Sequence, residues 1–218
     1  GAALATVAAQ AASVLLSLAV IRRRTLPFTI GKKNLRFERR LVGRILALGT
    51  PIALQDLLVS ISFLVILAIV NSMGVIASAG VGVAEKLCAF IMLVASAYMQ
   101  SMSAFVAQNM GAGKPERAKR ALLYGIGTSL MAGVTLFYFS FFHGDAMAGI
   151  FARDPQVVAA AADYLKAYAI DCILTSFLFC FVGYFNGCGK TFFVMVQGIV
   201  GAFCVRIPVS WFKVGGQA

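Results

Sequence analysis

Charge is what this sequence has least of: Asp, Glu, Lys and Arg make up 12% of its 218 residues, against about 25% in soluble globular domains. So few charges cannot solvate the surface of a water-soluble domain of this length. Acidic residues are scarcer still, 8 against 19 Lys and Arg. A single histidine, His143, offers no cluster for a metal site. The five cysteines (Cys88, Cys172, Cys180, Cys188, Cys204) fall in or beside apolar runs with no CxxC pair among them. That spacing excludes a zinc ribbon and a disulfide framework, and the thiols read as packing groups between helices.

What fills the chain is apolar residue, 61% of it, with a mean hydropathy of +0.89. Runs without any charge cover 1–21, 57–84, 87–113, 121–142, 172–189 and 191–205. About 20 apolar residues cross the hydrocarbon of a bilayer. Backbone groups in lipid must be satisfied within the segment, so each run predicts a helix. Barrel strands are shorter and alternate apolar with polar residues, which these runs do not. The expected fold is therefore all-α, a polytopic transmembrane bundle of about six spans, set at 1–21, 50–71, 80–107, 118–142, 155–186 and 191–213. The first run has no initiating Met or basic leader and is followed by Arg22, Arg23 and Arg24, the wrong polarity for a signal peptide. Such an opening is expected of a piece of a longer polypeptide.

The net charge of +11 is concentrated between the runs. Residues 22–47 form a basic loop holding Lys32, Lys33, Arg36, Arg39, Arg40 and Arg44 with only Glu38 opposing them. Lys114, Arg117, Lys119 and Arg120 mark a second basic connection, and Lys190 a third. Basic loops stay cytoplasmic, so these connections are expected inside and those near 71–80 and 143–154 outside. This placement excludes a nucleic-acid surface. Thr50-Pro51 and Asp154-Pro155 each set an N-cap residue before a first-turn proline and predict helix starts there. Gly187-Cys-Gly-Lys-Thr191 has the end of a phosphate-binding loop, but Tyr184 stands where that loop needs its first glycine. Gly111-Ala-Gly-Lys114 is followed by Pro115 and fails more plainly. With no nucleotide site and no nucleophile–base pair, the chain is not expected to be an enzyme or to hold a cofactor.

Residues Gln108-Asn-Met-Gly-Ala-Gly-Lys-Pro-Glu-Arg-Ala-Lys-Arg120 resemble a loop of the MATE family of multidrug and toxic-compound extrusion transporters. Gly1 to Gln10, Gly49 to Leu54, Asn71 to Gly74, Ala79 to Lys86 and Arg206 to Pro208 resemble, in order, further family segments from the sixth to the eleventh helix. The resemblance implies twelve helices in two lobes, with alternating access driven by H⁺ or Na⁺. Residues 1–21 would then be the last helix of the N-terminal lobe, 22–47 the cytoplasmic loop between lobes, and 48–213 the C-terminal lobe. The rest of the N-terminal lobe, the lipid bilayer and a small drug-like organic compound are the implied partners. The implied location is the cytoplasmic membrane of a bacterium. A motif of Gln108, Asn109, Gly111, Gly113, Lys114 and Arg117 would face the cytoplasm.

An intramembrane carboxylate is costly and is a functional candidate by default. Tyr164, Tyr168, Asp171 and Thr175 are spaced to form one polar stripe. Asp171 is the first candidate to bind H⁺ or Na⁺, with Tyr168 and Thr175 as neighbouring oxygens, and a structural hydrogen bond as the competing role. Asp56 is the second, with Gln55 beside it and Ser60 one turn on, near the cytoplasmic end. Met92, Ser96, Met99 and Ser103, with Gln100 adjacent, mix soft apolar and small polar groups in a way that suits either a promiscuous cavity or plain helix packing. Gly80 with Gly82, Gly125 with Gly127, and Gly198 with Gly201 are expected to permit close helix approach. NorM-type family members carry a helix-seven glutamate where Leu58 stands, and their helix-ten aspartate falls nearer Thr175, so their Na⁺ site is not carried over.

The expected function is cation-coupled export of amphipathic or cationic organic compounds. A lipid-linked saccharide flippase of the same superfamily and a channel or membrane scaffold are the alternatives.

Overall fold

The computed structural model describes residues 2–23, 38–72 and 74–208. The chain divides into two units, Gly1–Val42 and Gly43–Ala218. α1 (Ala2–Arg23) lies in the first and is exposed along its described face from Leu4 to Ile21. α2 (Arg39–Asn71) begins at the unit boundary and continues into the second unit. There it is followed by α3 (Val75–Gly111), α4 (Pro115–Phe142), the short α5 (Gly144–Gly149), α6 (Pro155–Gly187) and α7 (Thr191–Ile199). α7 runs on as a π-helical stretch, Val200–Arg206. Among the described residues there is no strand, and five helices are long and apolar enough to cross a membrane. α7 with its continuation is a shorter apolar helix, and residues 209–213 of the expected last span lie outside the described residues.

The helix expected to start at Thr50 starts instead at Arg39, and Pro51 lies inside it. Six of residues 39–48 are Leu or Arg, both good helix formers. Pro51 gives up the bond to the Ala47 carbonyl and crowds that carbonyl, a local cost that the helix on both sides absorbs. Residues 39–47 of the expected basic loop are thus helical, while residues 24–37 lie outside the described residues.

The next helix also starts earlier than expected, at Val75. Gly74 turns the chain at φ 106°, and Ser78 Oγ donates to Asn71 Oδ1 (2.6 Å) across the turn. The expected start at Asp154-Pro155 is present: Pro155 is the first helical residue and Asp154 Oδ1 accepts from the Gln156 N–H at 2.9 Å. Asp154→Ala is expected to cost about 1 kcal/mol, read as a lower unfolding temperature in detergent. An unchanged temperature would mean the cap contributes nothing.

Both Gly-x-Gly-Lys segments are helix-ending turns of one design. Gly113 (φ 68°) donates to the Met110 carbonyl and Lys114 to the Asn109 carbonyl. Gly189 (φ 75°) donates to the Asn186 carbonyl and Lys190 to the Phe185 carbonyl. A left-handed glycine followed by a returning N–H satisfies the last carbonyls of a helix. The amides that a phosphate loop would offer to an anion are committed here to the chain itself.

The core of the second unit is the mutual packing of α3, α4 and α6, with α5 lying against α6. Small residues set the close crossings. A Cβ at Gly183 would meet the Met99 carbonyl at 2.5 Å, and one at Gly187 would meet Ser103 O and Val106 Cβ at 2.7 Å. Gly133 is closed off by Ser176 and Cys172, and Gly80 by Ala160. Gly183 and Gly187 form a GxxxG pair, the spacing that lets two helix backbones approach in lipid. Among the expected glycine pairs, one member of each has a neighbour (Gly80, Gly125, Gly198) while Gly82, Gly127 and Gly201 meet nothing within 4 Å. Pairing of residues 80, 99 and 103 with 160, 183 and 187 makes α3 and α6 parallel, and α4, which meets α6 through Gly133 against Cys172 and Gly125 against Cys180, antiparallel to both. Successive long helices alternate in direction, as successive membrane crossings must.

Candidate functional site

The α6 stripe runs inward from its edge. Tyr164 is 37% exposed, Tyr168 and Asp171 are half-buried, and Thr175 is 7% exposed. Asp171 lies sixteen residues after Pro155, about 24 Å along the helix axis. That is near the middle of a 33-residue helix. The Thr175 hydroxyl donates to the Asp171 carbonyl at 2.7 Å and the Cys172 thiol to the Tyr168 carbonyl at 3.6 Å. Backbone therefore takes the hydroxyl proton, which leaves the Thr175 oxygen lone pairs available and the Asp171 carboxylate uncommitted to Thr175.

Beside Thr175 is a small cavity of about 10 Å³ between three helices, lined by Met92, Ala95, Ser129, Gly133, Cys172 and Ser176 among others. That is room for about one water. Two of the expected residues, Met92 and Thr175, are brought together here. Met99 and Ser103 continue the same α3 face, but their backbones form the crossing with Gly183 and Gly187. Ser96 is half-buried and Gln100 exposed.

On α2, Asp56 and Ser60 are exposed, and Ser60 Oγ donates to the Asp56 carbonyl at 2.7 Å, so the two share a face as expected. Gln55 is half-buried against Gly198 of α7. The structure does not bring Asp56 to Asp171 through any described contact. At the Lys114 end, Asn109 is 7% exposed and its amide donates to the Phe105 carbonyl at 2.7 Å, while the Arg117 guanidinium stacks 5.6 Å from the Phe105 ring. Lys119 pairs with Glu116 at 2.8 Å. Gln108, Gly111, Gly113 and Lys114 are exposed around this turn.

Two charged groups escaped the sequence reading as site residues. Glu85 of α3 is half-buried, and it and Asp171 both act electrostatically on Cys88 and Tyr164. Arg206, at the end of the π-helical stretch, acts on Asp171 and Tyr164 and stacks 4.3 Å from the Phe63 ring of α2. The signal for Glu85 was present: it is an acidic residue ten positions into α3, about 15 Å along its axis. An expected start at 80 placed it five residues, about 7.5 Å, into the helix, half its actual depth.

The geometry is thus a carboxylate in mid-helix, with tyrosines on its own helix and one guanidinium acting on it, inside a bundle of long apolar helices. A family model described as MatE matches residues 51–212. The chain belongs to the MatE family. Its membership and its five long apolar helices make the bundle part of a multi-pass membrane protein. The probable multidrug resistance protein YoeA of Bacillus subtilis is 24% identical over 214 residues, 97% of this chain and 46% of that protein. An FAD transporter of Shewanella oneidensis is 32% identical over 118 residues, 54% of this chain and 26% of that protein. Protein DETOXIFICATION 20 of Arabidopsis thaliana is 29% identical over 119 residues, 55% of this chain and 24% of that protein. The chain spans at most about half the length of these relatives.

Proposed function

We propose that the complete protein is a cation-coupled secondary transporter that exports amphipathic or cationic organic compounds, and that this chain supplies its C-terminal half. The observation that carries the reading is a carboxylate, Asp171, held half-buried in mid-helix of a MatE bundle. A charge kept at such depth needs a use or a partner. In this reading H⁺ or Na⁺ binds Asp171, with the Tyr168 and Thr175 oxygens in its surroundings. The basic turns at Lys114 and Lys190 face the cytoplasm of a bacterial cell, and the N-terminal lobe of the same polypeptide closes the substrate cavity over α2 and α3.

A second reading, export of FAD or a similarly anionic cofactor, is favoured by the relative named as an FAD transporter. Proteoliposomes holding the complete protein test both. A fluorescent organic cation is expected to accumulate against its gradient when H⁺ or Na⁺ is driven the opposite way, and accumulation is expected to stop when an ionophore collapses that gradient. Accumulation that survives collapse, or downhill flux alone, contradicts coupling and leaves a channel. Competition by FAD but not by organic cations selects the second reading.

A further inference from the structure

α2 is the most loosely held helix of the second unit: Ser62 is its one buried residue, and no other described helix lies closely along its backbone. Two contacts join it to α7 and its π-helical continuation. Gln55 fills the space over Gly198, where an added Cβ would come within 2.7 Å of its amide nitrogen. Eight residues further along both helices, the Phe63 ring lies 4.3 Å beneath the Arg206 guanidinium. The two contacts advance together, so α2 and α7 run parallel. In a regular α-helix eight residues would turn Arg206 about 80° away from the Gly198 face. The wider turns of the π-helical stretch Val200–Arg206 reduce that offset and keep both residues towards α2.

The Arg206 charge also reaches Asp171 and Tyr164 on α6. The other titratable groups around that carboxylate are Glu85 and Cys88 on α3 and Tyr168 and Cys172 on α6. One guanidinium therefore serves two elements, a ring on the loosely held helix and a carboxylate on the core.

We propose that Arg206 is a positioning residue that pins the C-terminal half of α2 to the core through Phe63, and that a cation taking Asp171 releases the pin. The second half of this statement rests on the reading of Asp171 as the coupling carboxylate. The π-helical stretch is the device that presents the guanidinium, and α2 is the element that moves.

The test places spin labels at Ser72 and Gln156, at the ends of α2 and α6, in the full-length protein on a background without native cysteines. Arg206→Met and Phe63→Leu are each expected to broaden the distance distribution, and the double variant to broaden it no further than the stronger single. Arg206→Lys, which keeps the cation, is expected to restore part of the narrow distribution. An unchanged distribution in either single variant, or a double equal to the sum of both, overturns the pin.

Adding the coupling cation to the unsubstituted protein, or substituting Asp171→Asn, is expected to give the same broadening. If Asp171→Asn leaves the distribution narrow, release through Asp171 is overturned. If instead Asp171→Asn transports uphill as well as the unsubstituted protein, the coupling reading fails, while the pin is still decided by the Arg206 and Phe63 variants.

Discussion

Asp171→Asn in the complete protein is expected to abolish uphill substrate movement while the protein stays folded. Asn matches Asp in size and keeps hydrogen-bonding capacity but cannot take up a proton or attract a cation at that depth. A charged side chain at the centre of a membrane helix costs on the order of 3 kcal/mol. Removing the charge from half-buried Asp171 should therefore leave thermal stability level or higher. The lost interaction with the Arg206 charge offsets part of that gain. A purely structural aspartate predicts the opposite split, with stability falling and uphill transport persisting in whatever protein survives. Measuring unfolding temperature and gradient-driven accumulation on the same preparation separates the two.

Gly183→Val is expected to be the most damaging single substitution in the bundle for stability. The obstacle is backbone: an added Cβ meets the Met99 carbonyl oxygen at 2.5 Å and the Met99 Cα at 3.1 Å. A carbonyl engaged in α3 cannot rotate away, so α3 and α6 must separate, and that crossing belongs to the main core. Overpacking of this kind costs about 3 kcal/mol or more where the neighbour cannot yield. Gly125 differs, because there the obstructing atom is the flexible Met102 methyl, and Gly125→Ala is expected to be tolerated. Gly127, with nothing within 4 Å, supplies the control: Gly127→Ala should be neutral or stabilising by up to about 1 kcal/mol. Thermal unfolding in detergent that ranks these three otherwise would refute the α3–α6 crossing.

Long apolar runs made the helical bundle legible, because lipid leaves backbone groups no partner outside their own segment. Boundaries were harder. Thr50-Pro51 carries a local start signal as good as that of Asp154-Pro155, yet only the second begins a helix. The difference lies upstream: strong helix formers precede Thr50, whereas Phe151 to Asp154 do not continue α5. The same displacement of helix starts hid Glu85. Glycine pairs were sought at spacings of two and three, so the four-residue pair Gly183 and Gly187, which carries the tightest parallel crossing, went unread. The α6 stripe was legible because one helical period fixes it. Arg206 was not, since its approach to Phe63 and Asp171 depends on a π-helical stretch and on which helix neighbours α7, neither of which local sequence encodes.

The central claim is that cation movement and substrate movement are one process, and linkage makes that claim reciprocal. The direct measurement imposes only a substrate gradient across sealed proteoliposomes of the complete protein, with no ion gradient, and records H⁺ and Na⁺ in the lumen. The account predicts that one of these cations moves opposite to the substrate and that Asp171→Asn abolishes its movement. Substrate flowing down its gradient while neither cation moves would contradict it.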